Sequence, residues 1–241
     1  MSAPQLVFLH GWGMHYSIWD GIVPEFASHH AVAASLPGYA GSPVRAGGCG
    51  DLAAALADRF DTPLIVCGWS LGAQIAMRWA LAAPQQIERL VLVGASPRFV
   101  ATADWQCGVA QHVFSQFASE LALNYAKTIG RFLTLQADAA DRATLRELRQ
   151  TLTHVEPSFD ALRQGLDILL HEDLRNDVAD IRMPTLIING DRDMLVRKCA
   201  AEFLANKIPD AALELVADAG HAPFLSHRGH FVRRLKVFLD G

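Results

Sequence analysis

The residues with the clearest chemistry are the five that read GWSLG, at positions 68–72. They follow an apolar run, PLIVC, and open a helical pattern over Leu71–Ala82. In a strand–turn–helix unit this spacing lifts a serine hydroxyl above the sheet, and glycine fits the sharp turn because it has no Cβ to clash. The start of the following helix also favours a developing anion. We therefore predict that Ser70 is a nucleophile; the competing interpretation is a glycine-rich turn with a surface serine.

A serine hydroxyl is a weak nucleophile at neutral pH and needs a base. Among ten histidines we predict that His221 is the base, because it lies in the segment DAGHAP directly after the last apolar run. The carboxyl ends of strands are where α/β sheets place active groups. An acid between serine and histidine in the chain would hold the imidazole tautomer. After the run PTLIIN we favour Asp193 as this acid over Asp191, which suits a turn.

The oxyanion of a tetrahedral intermediate needs hydrogen-bond donors. One donor is the backbone N–H of the residue after the nucleophile, Leu71, and the other comes from the loop after an early strand. That loop reads HGWG at 10–13, so we predict the N–H of Trp12 as the second donor. The sequence contains no HExxH motif, no CxxC pair and no GxGxxG after its first apolar run. We therefore expect neither a metal nor a cofactor.

Short apolar runs that alternate with helical patterns must position these residues. We predict strands at 6–9, 31–36, 63–68, 90–94, 184–189 and 212–216, and helices at 51–60, 71–82, 196–206 and 229–239. This alternation is typical of an α/β protein with a parallel sheet and helices on both faces. Between about Arg98 and Arg175 the pattern is helical only. We expect a core of residues 1–97 and 176–241, with a helical cap inserted at 98–175.

The composition sets limits on function and location. The chain of 241 residues has a formal net charge of −4, which argues against a nucleic-acid-binding protein with its usual basic excess. No stretch approaches the ~20 apolar residues of a membrane helix, and the N-terminus lacks the pattern of a signal peptide. None of the four cysteines forms a CxxC pair, so we expect reduced thiols. We expect a cytoplasmic monomer.

Five segments together resemble one known family. They read HGWG at 10–13, LPGYAGS at 36–42, GWSLG at 68–72, GDRDMLVRK at 190–198 and HAPFLSH at 221–227. These segments are similar to the α/β-hydrolase esterases of biotin synthesis, the pimeloyl-acyl carrier protein methyl ester carboxylesterases, over nearly the whole chain. GxSxG by itself would indicate only the superfamily. The resemblance implies the α/β-hydrolase fold, with a mostly parallel central sheet and the cap inserted after the sixth strand of that fold's usual numbering.

The resemblance also implies roles for particular residues. The triad would be Ser70, Asp193 and His221. Substrate contacts would come from Trp12, Ser70, Leu71, His221 and a cap motif that reads Phe132, Leu133, Thr134, Leu135 and Gln136. Without the resemblance, this motif fits an ordinary amphipathic helix turn. One departure is Arg197, where many relatives have proline. This difference could alter the conformation of the loop under Asp193.

The activity implied by the resemblance is hydrolysis of the methyl ester of pimeloyl-acyl carrier protein, which releases methanol. Two other enzyme classes stay open, a general short-chain carboxylesterase and a carbon–carbon bond hydrolase, because they share the triad and differ in the cap. A catalytically silent binding protein of the same fold is a third hypothesis. The presence of all three triad residues argues against it.

An acidic carrier protein as partner would need a basic surface. Between positions 127 and 150 the cap sequence has five basic residues, Lys127, Arg131, Arg142, Arg146 and Arg149, against three acidic ones, Asp138, Asp141 and Glu147. The last three arginines are spaced i, i+4 and i+7, which places them on one face of a helix. We expect the carrier protein to dock on the surface formed by these five basic residues; the alternative is an ordinary solvated helix face.

Overall fold

The computed structural model describes residues 4–60, 63–137, 141–152 and 158–241. Its sheet contains β1 (Gln5–Leu9), β2 (Val32–Ala34), β3 (Leu64–Trp69), β4 (Ile87–Val93), β5 (Thr185–Gly190) and β6 (Ala211–Val216). The strands lie in the order β2-β1-β3-β4-β5-β6, and every neighbouring pair is parallel. The six strands predicted from the apolar runs are confirmed.

The α-helices of the described residues alternate with these strands and then cluster after β4. They are α1 (Cys49–Ala57), α2 (Leu71–Ala82), α3 (Gln111–Leu123), α4 (Tyr125–Gln136), α5 (Arg142–Thr151), α6 (Phe159–His171), α7 (Lys198–Lys207), α8 (Pro223–Ser226) and α9 (Arg228–Asp240). Short 3-10 helices lie at Tyr16–Trp19, Val23–His29, Pro84–Gln86 and Val178–Asp180. No helix among the described residues is long and apolar enough to cross a membrane.

The central strands are apolar because both faces of the sheet are covered. All six residues of β3 and all six of β5 are buried. Helix α2 packs against β3 and β4, and α7 packs against β5 and β6. Since all strands are parallel, the loops that follow β1, β3, β5 and β6 meet at one edge of the sheet. The predicted site residues outside the cap lie in these loops or begin the helices that follow them.

Helices α3 to α6 lie between β4 and β5, and residues 98–175 are called the cap from here on. Ion pairs join the two ends of the cap. Asp173 accepts from Arg98 and from Arg175, both at 2.8 Å, and Arg175 also contacts Asp104 at 3.0 Å. The hydrogen bonds from Arg175 are the largest cause that lowers the pKa of Asp173 to about 2. Near this point Glu172 pairs with Arg78 of α2, so the end of the cap is fixed to the core.

The expectation of four reduced thiols is wrong for one pair. Cys107, in the loop before α3, and Cys199, in α7, form a disulfide with a Cα–Cα distance of 5.8 Å. The two residues are 92 positions apart, so their spacing in the sequence gave no sign of contact. Cys49 and Cys67 are free and buried, and burial raises the pKa of both thiols.

Candidate active site

Ser70 occupies a strained turn between β3 and α2. Its φ is 57° and its ψ is −117°, a conformation that a residue with a Cβ rarely adopts. The flanking glycines are required by close contacts. A Cβ on Gly68 would lie 2.4 Å from the carbonyl oxygen of Gly72, and a Cβ on Gly72 would lie 2.6 Å from that of His10. The turn is further fixed because the N–H of Ser70 donates to the carbonyl of Val93 at 2.9 Å.

His221 and Asp193 form a buried pair beside this turn. The distance from His221 Nδ1 to Asp193 Oδ2 is 2.7 Å, and the two residues are only 1% and 6% exposed. A carboxylate can only accept, so Nδ1 carries a proton, and in the neutral ring Nε2 then has the lone pair. Nε2 is buried and has no hydrogen-bond partner within the described residues. Its lone pair is therefore available to a serine hydroxyl, in a contact that often tightens only when substrate binds.

Backbone groups fix both members of the pair. The second oxygen of Asp193, Oδ1, accepts from the N–H groups of Leu195 and Val196, both at 2.8 Å. The carbonyl of His221 accepts from Trp69 Nε1 at 2.8 Å, and its N–H donates to the carbonyl of Gln136 at 2.9 Å. Trp69 therefore connects the serine turn to the histidine loop. This role of Trp69 was not predictable from the sequence, because an apolar strand end gives no sign of the partner of its indole N–H.

The competing aspartate, Asp191, lies elsewhere. Its side chain is exposed, and its backbone N–H donates to the carbonyl of Val216 at 3.0 Å. Only Asp193 of the two makes a hydrogen bond with His221 in the described structure. Arg197, the departure from the family pattern, has a φ of −63°, which is the value that proline would impose. The arginine therefore leaves the backbone below Asp193 in a proline-compatible conformation.

The two predicted oxyanion donors flank the serine. Leu71 is the first residue of α2, so its N–H has no carbonyl within the helix to bond. Trp12 lies in a tight turn closed by the N–H of Met14 on the carbonyl of Gly11 at 3.3 Å. A Cβ on Gly11 would lie 3.3 Å from the Cβ of Ser70, so the loop that contains Trp12 passes close to the serine. The Trp12 side chain is fixed to the cap, because Nε1 donates to the carbonyl of Leu162 at 2.8 Å.

His10, the first residue of HGWG, is a second buried histidine close to the site. Its Nδ1 contacts the carbonyl of Gly11 at 2.9 Å, and its Nε2 accepts from the N–H of Leu36 at 3.1 Å. Burial lowers its pKa to about 4, so the ring is neutral at pH 7. Because both nitrogens are bonded to backbone, His10 holds two loops together and is not available as a base.

An apolar cavity of about 120 Å³ lies between the core and the cap. Phe99 and Leu169 line both this cavity and the small space at Ser70, so the two are adjacent. The walls are mainly aromatic and aliphatic side chains, among them Trp12, Phe114, Phe117, Phe132, Leu135, Leu166 and Leu195. Sequence reasoning missed most of these, because apolar residues that line a cavity have the same helical spacing as residues of a core.

The five residues of the cap motif lie in the second half of α4 and differ in position. Phe132 and Leu135 line the cavity, and Leu133 is buried. Gln136 is buried and its backbone carbonyl contacts the His221 loop. Thr134 faces solvent, and its hydroxyl donates to the carbonyl of Gly130 at 3.0 Å. The structure therefore brings Phe132 and Leu135 to the cavity and Gln136 to the His221 loop, while Leu133 is buried and Thr134 lies on the outer face.

The basic residues of the cap divide into two groups. Lys127 and Arg131 lie on α4, and Arg131 lines the cavity and pairs with Glu120 at 2.6 Å. Helix α5 carries three exposed arginines that line a surface groove, Arg142, Arg146 and Arg149. None of them forms a salt bridge within the described residues. Of the acidic residues counted with them, Asp141 caps α5, Glu147 pairs with Arg228 at 2.9 Å, and Asp138 lies outside the described residues.

The fold and site define a class. The chain belongs to the alpha/beta hydrolase family, whose model matches residues 6–235. An esterase from Exiguobacterium antarcticum has the same fold, with a TM-score of 0.89 at 19% identity over 100% of this chain and 94% of that one. A bromoperoxidase from Bacillus anthracis gives 0.87 at 20% identity, over 100% and 93%. At these identities the likeness shows the fold alone, and the expected α/β-hydrolase fold is confirmed.

Relatives at higher identity form a narrower group. The chain is 39% identical over 236 residues to a pimeloyl-[acyl-carrier protein] methyl ester esterase from Nitrosomonas europaea, with 96% of this chain and 94% of the relative covered. The protein of the same name from Aromatoleum aromaticum is also 39% identical over 236 residues, with 94% of each chain covered. The resemblance found in the five sequence segments is therefore confirmed. Within the described residues, no group of three or more potential ligands could hold a metal ion.

Proposed function

We propose that this protein is a serine carboxylesterase that hydrolyses the methyl ester of pimeloyl-acyl carrier protein in biotin synthesis, as a monomer in the cytoplasm. One observation supports it most. Trp69 joins the buried His221–Asp193 pair, with its 2.7 Å hydrogen bond, to the strained Ser70 turn, and the space at Ser70 borders an apolar cavity. This arrangement suits an ester with an aliphatic acyl chain. The relatives' names supply the particular ester.

The proposed reaction begins when Ser70 Oγ attacks the ester carbonyl carbon while His221 Nε2 accepts the hydroxyl proton. The oxyanion receives hydrogen bonds from the N–H groups of Trp12 and Leu71. Each donor lowers the activation free energy by about 3 kcal/mol. Collapse of the intermediate breaks the bond to the methoxy oxygen, which takes the proton from His221 and leaves as methanol. Water then attacks the acyl-serine with His221 as base, which frees the carboxylate. Asp193 stays ionised and stabilises the imidazolium.

The chemistry of the cavity supports the acyl specificity of this proposal. Its lining is apolar, so a methylene chain would lose contact with water on binding without leaving polar groups unpaired. The cavity shares Phe99 and Leu169 with the space at Ser70, and Arg131 and Glu120 of the cap line it as well. A long substrate could therefore run from the serine toward the cap surface. A general short-chain esterase would not need this extension.

The triad is tested by substitution. Ser70→Ala or His221→Ala should reduce turnover of pimeloyl-acyl carrier protein methyl ester by roughly 10⁶-fold, because triad members act as a unit. Asp193→Asn should lower turnover by somewhat less, and Asp191→Asn is the matched control that should leave it nearly unchanged. A wild-type gene, but not Ser70→Ala, should restore growth of a biotin auxotroph that lacks this esterase. Activity on p-nitrophenyl acetate without any on the carrier-bound ester would support the general esterase instead.

The proposed carrier surface is the α5 face formed by Arg142, Arg146 and Arg149. Its arginines are exposed and have no acidic partner in the described structure, so they are available to an acidic protein. Charges at the rim of an interface mainly set the association rate and its salt dependence. Reversing all three charges should lower kcat/KM for the carrier-bound ester by on the order of 10-fold at low salt. Hydrolysis of p-nitrophenyl acetate should be unchanged.

A matched control reverses three exposed basic residues of the core, Arg182, Lys207 and Arg233, which changes the net charge equally. This control separates a local docking surface from the overall charge of the protein. Equal losses in both triple variants would exclude the α5 face as the specific docking site. Equal losses of the α5 variant on both substrates would indicate damage to the cap.

A further inference from the structure

Asn189 is a fully buried polar residue near the carboxyl end of the central strand β5. Its neighbours in the strand, Ile187 and Ile188, are apolar, as expected for a parallel strand covered on both faces. An amide at such a position is unfavourable unless its polar atoms are bonded. Its Oδ1 has no hydrogen-bond partner in the described part of the chain.

The amide nitrogen of Asn189 makes two hydrogen bonds, and both go to the loop that holds Asp193. Nδ2 donates to the carbonyl of Gly190 at 3.0 Å and to the carbonyl of Val196 at 3.1 Å. These carbonyls lie three residues to either side of Asp193. The amide therefore joins the beginning of the loop to its end, across the base of the turn that presents the carboxylate.

The residue at the end of this loop is fixed on two sides. The N–H of Val196 donates to Asp193 Oδ1 at 2.8 Å, while its carbonyl accepts from Asn189. Because a carboxylate held by two backbone N–H groups follows the position of those groups, a shift of Val196 would move Asp193 Oδ1. The other oxygen, Oδ2, bonds His221 at 2.7 Å. A chain of three hydrogen bonds thus connects Asn189 to the imidazole.

We infer that Asn189 is a positioning residue that sets the place of the Asp193 carboxylate against His221 by closing the loop from Gly190 to Val196. The inference rests on Asp193 being the acid of the proposed triad. Asn189 touches neither substrate nor reacting atoms, and acts through the loop alone. A displacement of a catalytic group by about 1 Å can slow an enzyme 10²-fold. Removal of the amide should therefore affect turnover more than substrate binding.

The test compares two substitutions in the same strand. Asn189→Leu keeps the branched side-chain skeleton with the same number of heavy atoms, and it removes both hydrogen bonds to the loop. Thr185→Val is the matched control, because Thr185 is also buried and its Oγ1 donates to a backbone carbonyl, that of Met183 at 3.0 Å, at the end of β5 away from the site. Asn189→Leu should lower kcat on p-nitrophenyl acetate by about 10- to 100-fold and leave KM within about 2-fold. Thr185→Val should leave both constants nearly unchanged.

A second readout reports the hydrogen bond directly. The downfield ¹H NMR resonance of His221 Nδ1–H should shift or broaden in Asn189→Leu, remain in Thr185→Val and be lost in Asp193→Ala. Wild-type kcat and an unmoved resonance in folded Asn189→Leu would overturn the inference, as would equal losses in Thr185→Val. If Asn189→Leu does not fold, Asn189→Ser replaces it in the test. The same resonance should then shift or broaden, and kcat should fall by less than the loss expected for Asn189→Leu. Retained activity in Asp193→Ala would instead reject the proposed triad.

Discussion

Replacing Ser70, the proposed nucleophile, with glycine should make the protein more stable while it abolishes activity. Ser70 has a φ of 57° and a ψ of −117°, a region in which a Cβ clashes with the backbone. Such a residue raises the free energy of the folded state by about 1–3 kcal/mol. Glycine removes this strain but gains freedom in the unfolded chain, which costs about 0.4–1 kcal/mol. Ser70→Gly should therefore increase the free energy of unfolding by roughly 0.5–2 kcal/mol.

The assay is thermal or urea unfolding of Ser70→Gly and Ser70→Ala, compared at the same pH. A gain of this size corresponds to an increase in Tm of about 1–8 °C for a chain of this length. Ser70→Ala keeps the Cβ, so its Tm should stay close to that of the wild type, and both variants should be inactive. Ser96→Gly is the control, because Ser96 is buried, has no positive φ and should lose stability on the same change. Equal Tm values for Ser70→Gly and Ser70→Ala would refute the proposed strain.

Two further predictions concern how the cap is joined to the core. Cys199→Ser should remove the Cys107–Cys199 cross-link and lower the free energy of unfolding by up to about 4.6 kcal/mol. This value follows from the chain-entropy relation for a separation of 92 residues. Equal urea midpoints of the wild type with and without dithiothreitol would contradict the prediction. Asp173 has its pKa lowered to about 2 by Arg175 and Arg98, so its ion pairs stabilise the fold above the unfolded pKa of about 4, and this stability is lost as the pH falls toward 2. Asp173→Asn should lower the free energy of unfolding at pH 7 by about 1–2 kcal/mol, a value reduced for solvent screening because the side chain is 28% exposed. The difference from the wild type should vanish near pH 2. A difference that stays constant with pH would exclude this linkage.

The fold was predictable because its signals are local. A central parallel strand must be apolar on both faces, so PLIVC and PTLIIN could be recognised without knowledge of their neighbours. GxSxG after such a strand identified the Ser70 turn, and the positions of Asp193 and His221 after later strands followed from the shared edge of a parallel sheet. The close approach of backbone carbonyls to Gly68 and Gly72 in this turn is the physical reason that the motif needs its glycines.

The contacts that only the tertiary structure decided are between residues far apart in the chain. The bond from Trp69 to His221 spans 152 positions, and the Cys107–Cys199 disulfide spans 92. The sequence by itself determined which residues have suitable chemistry and at which edge of the sheet they lie. It favoured Asp193 over Asp191 as the partner of the imidazole, but the geometry of that hydrogen bond depends on the backbone N–H groups of Leu195 and Val196, which only the tertiary structure places. Packing of the cap likewise decided which apolar side chains line the cavity, since periodicity is the same for a core and for a binding site.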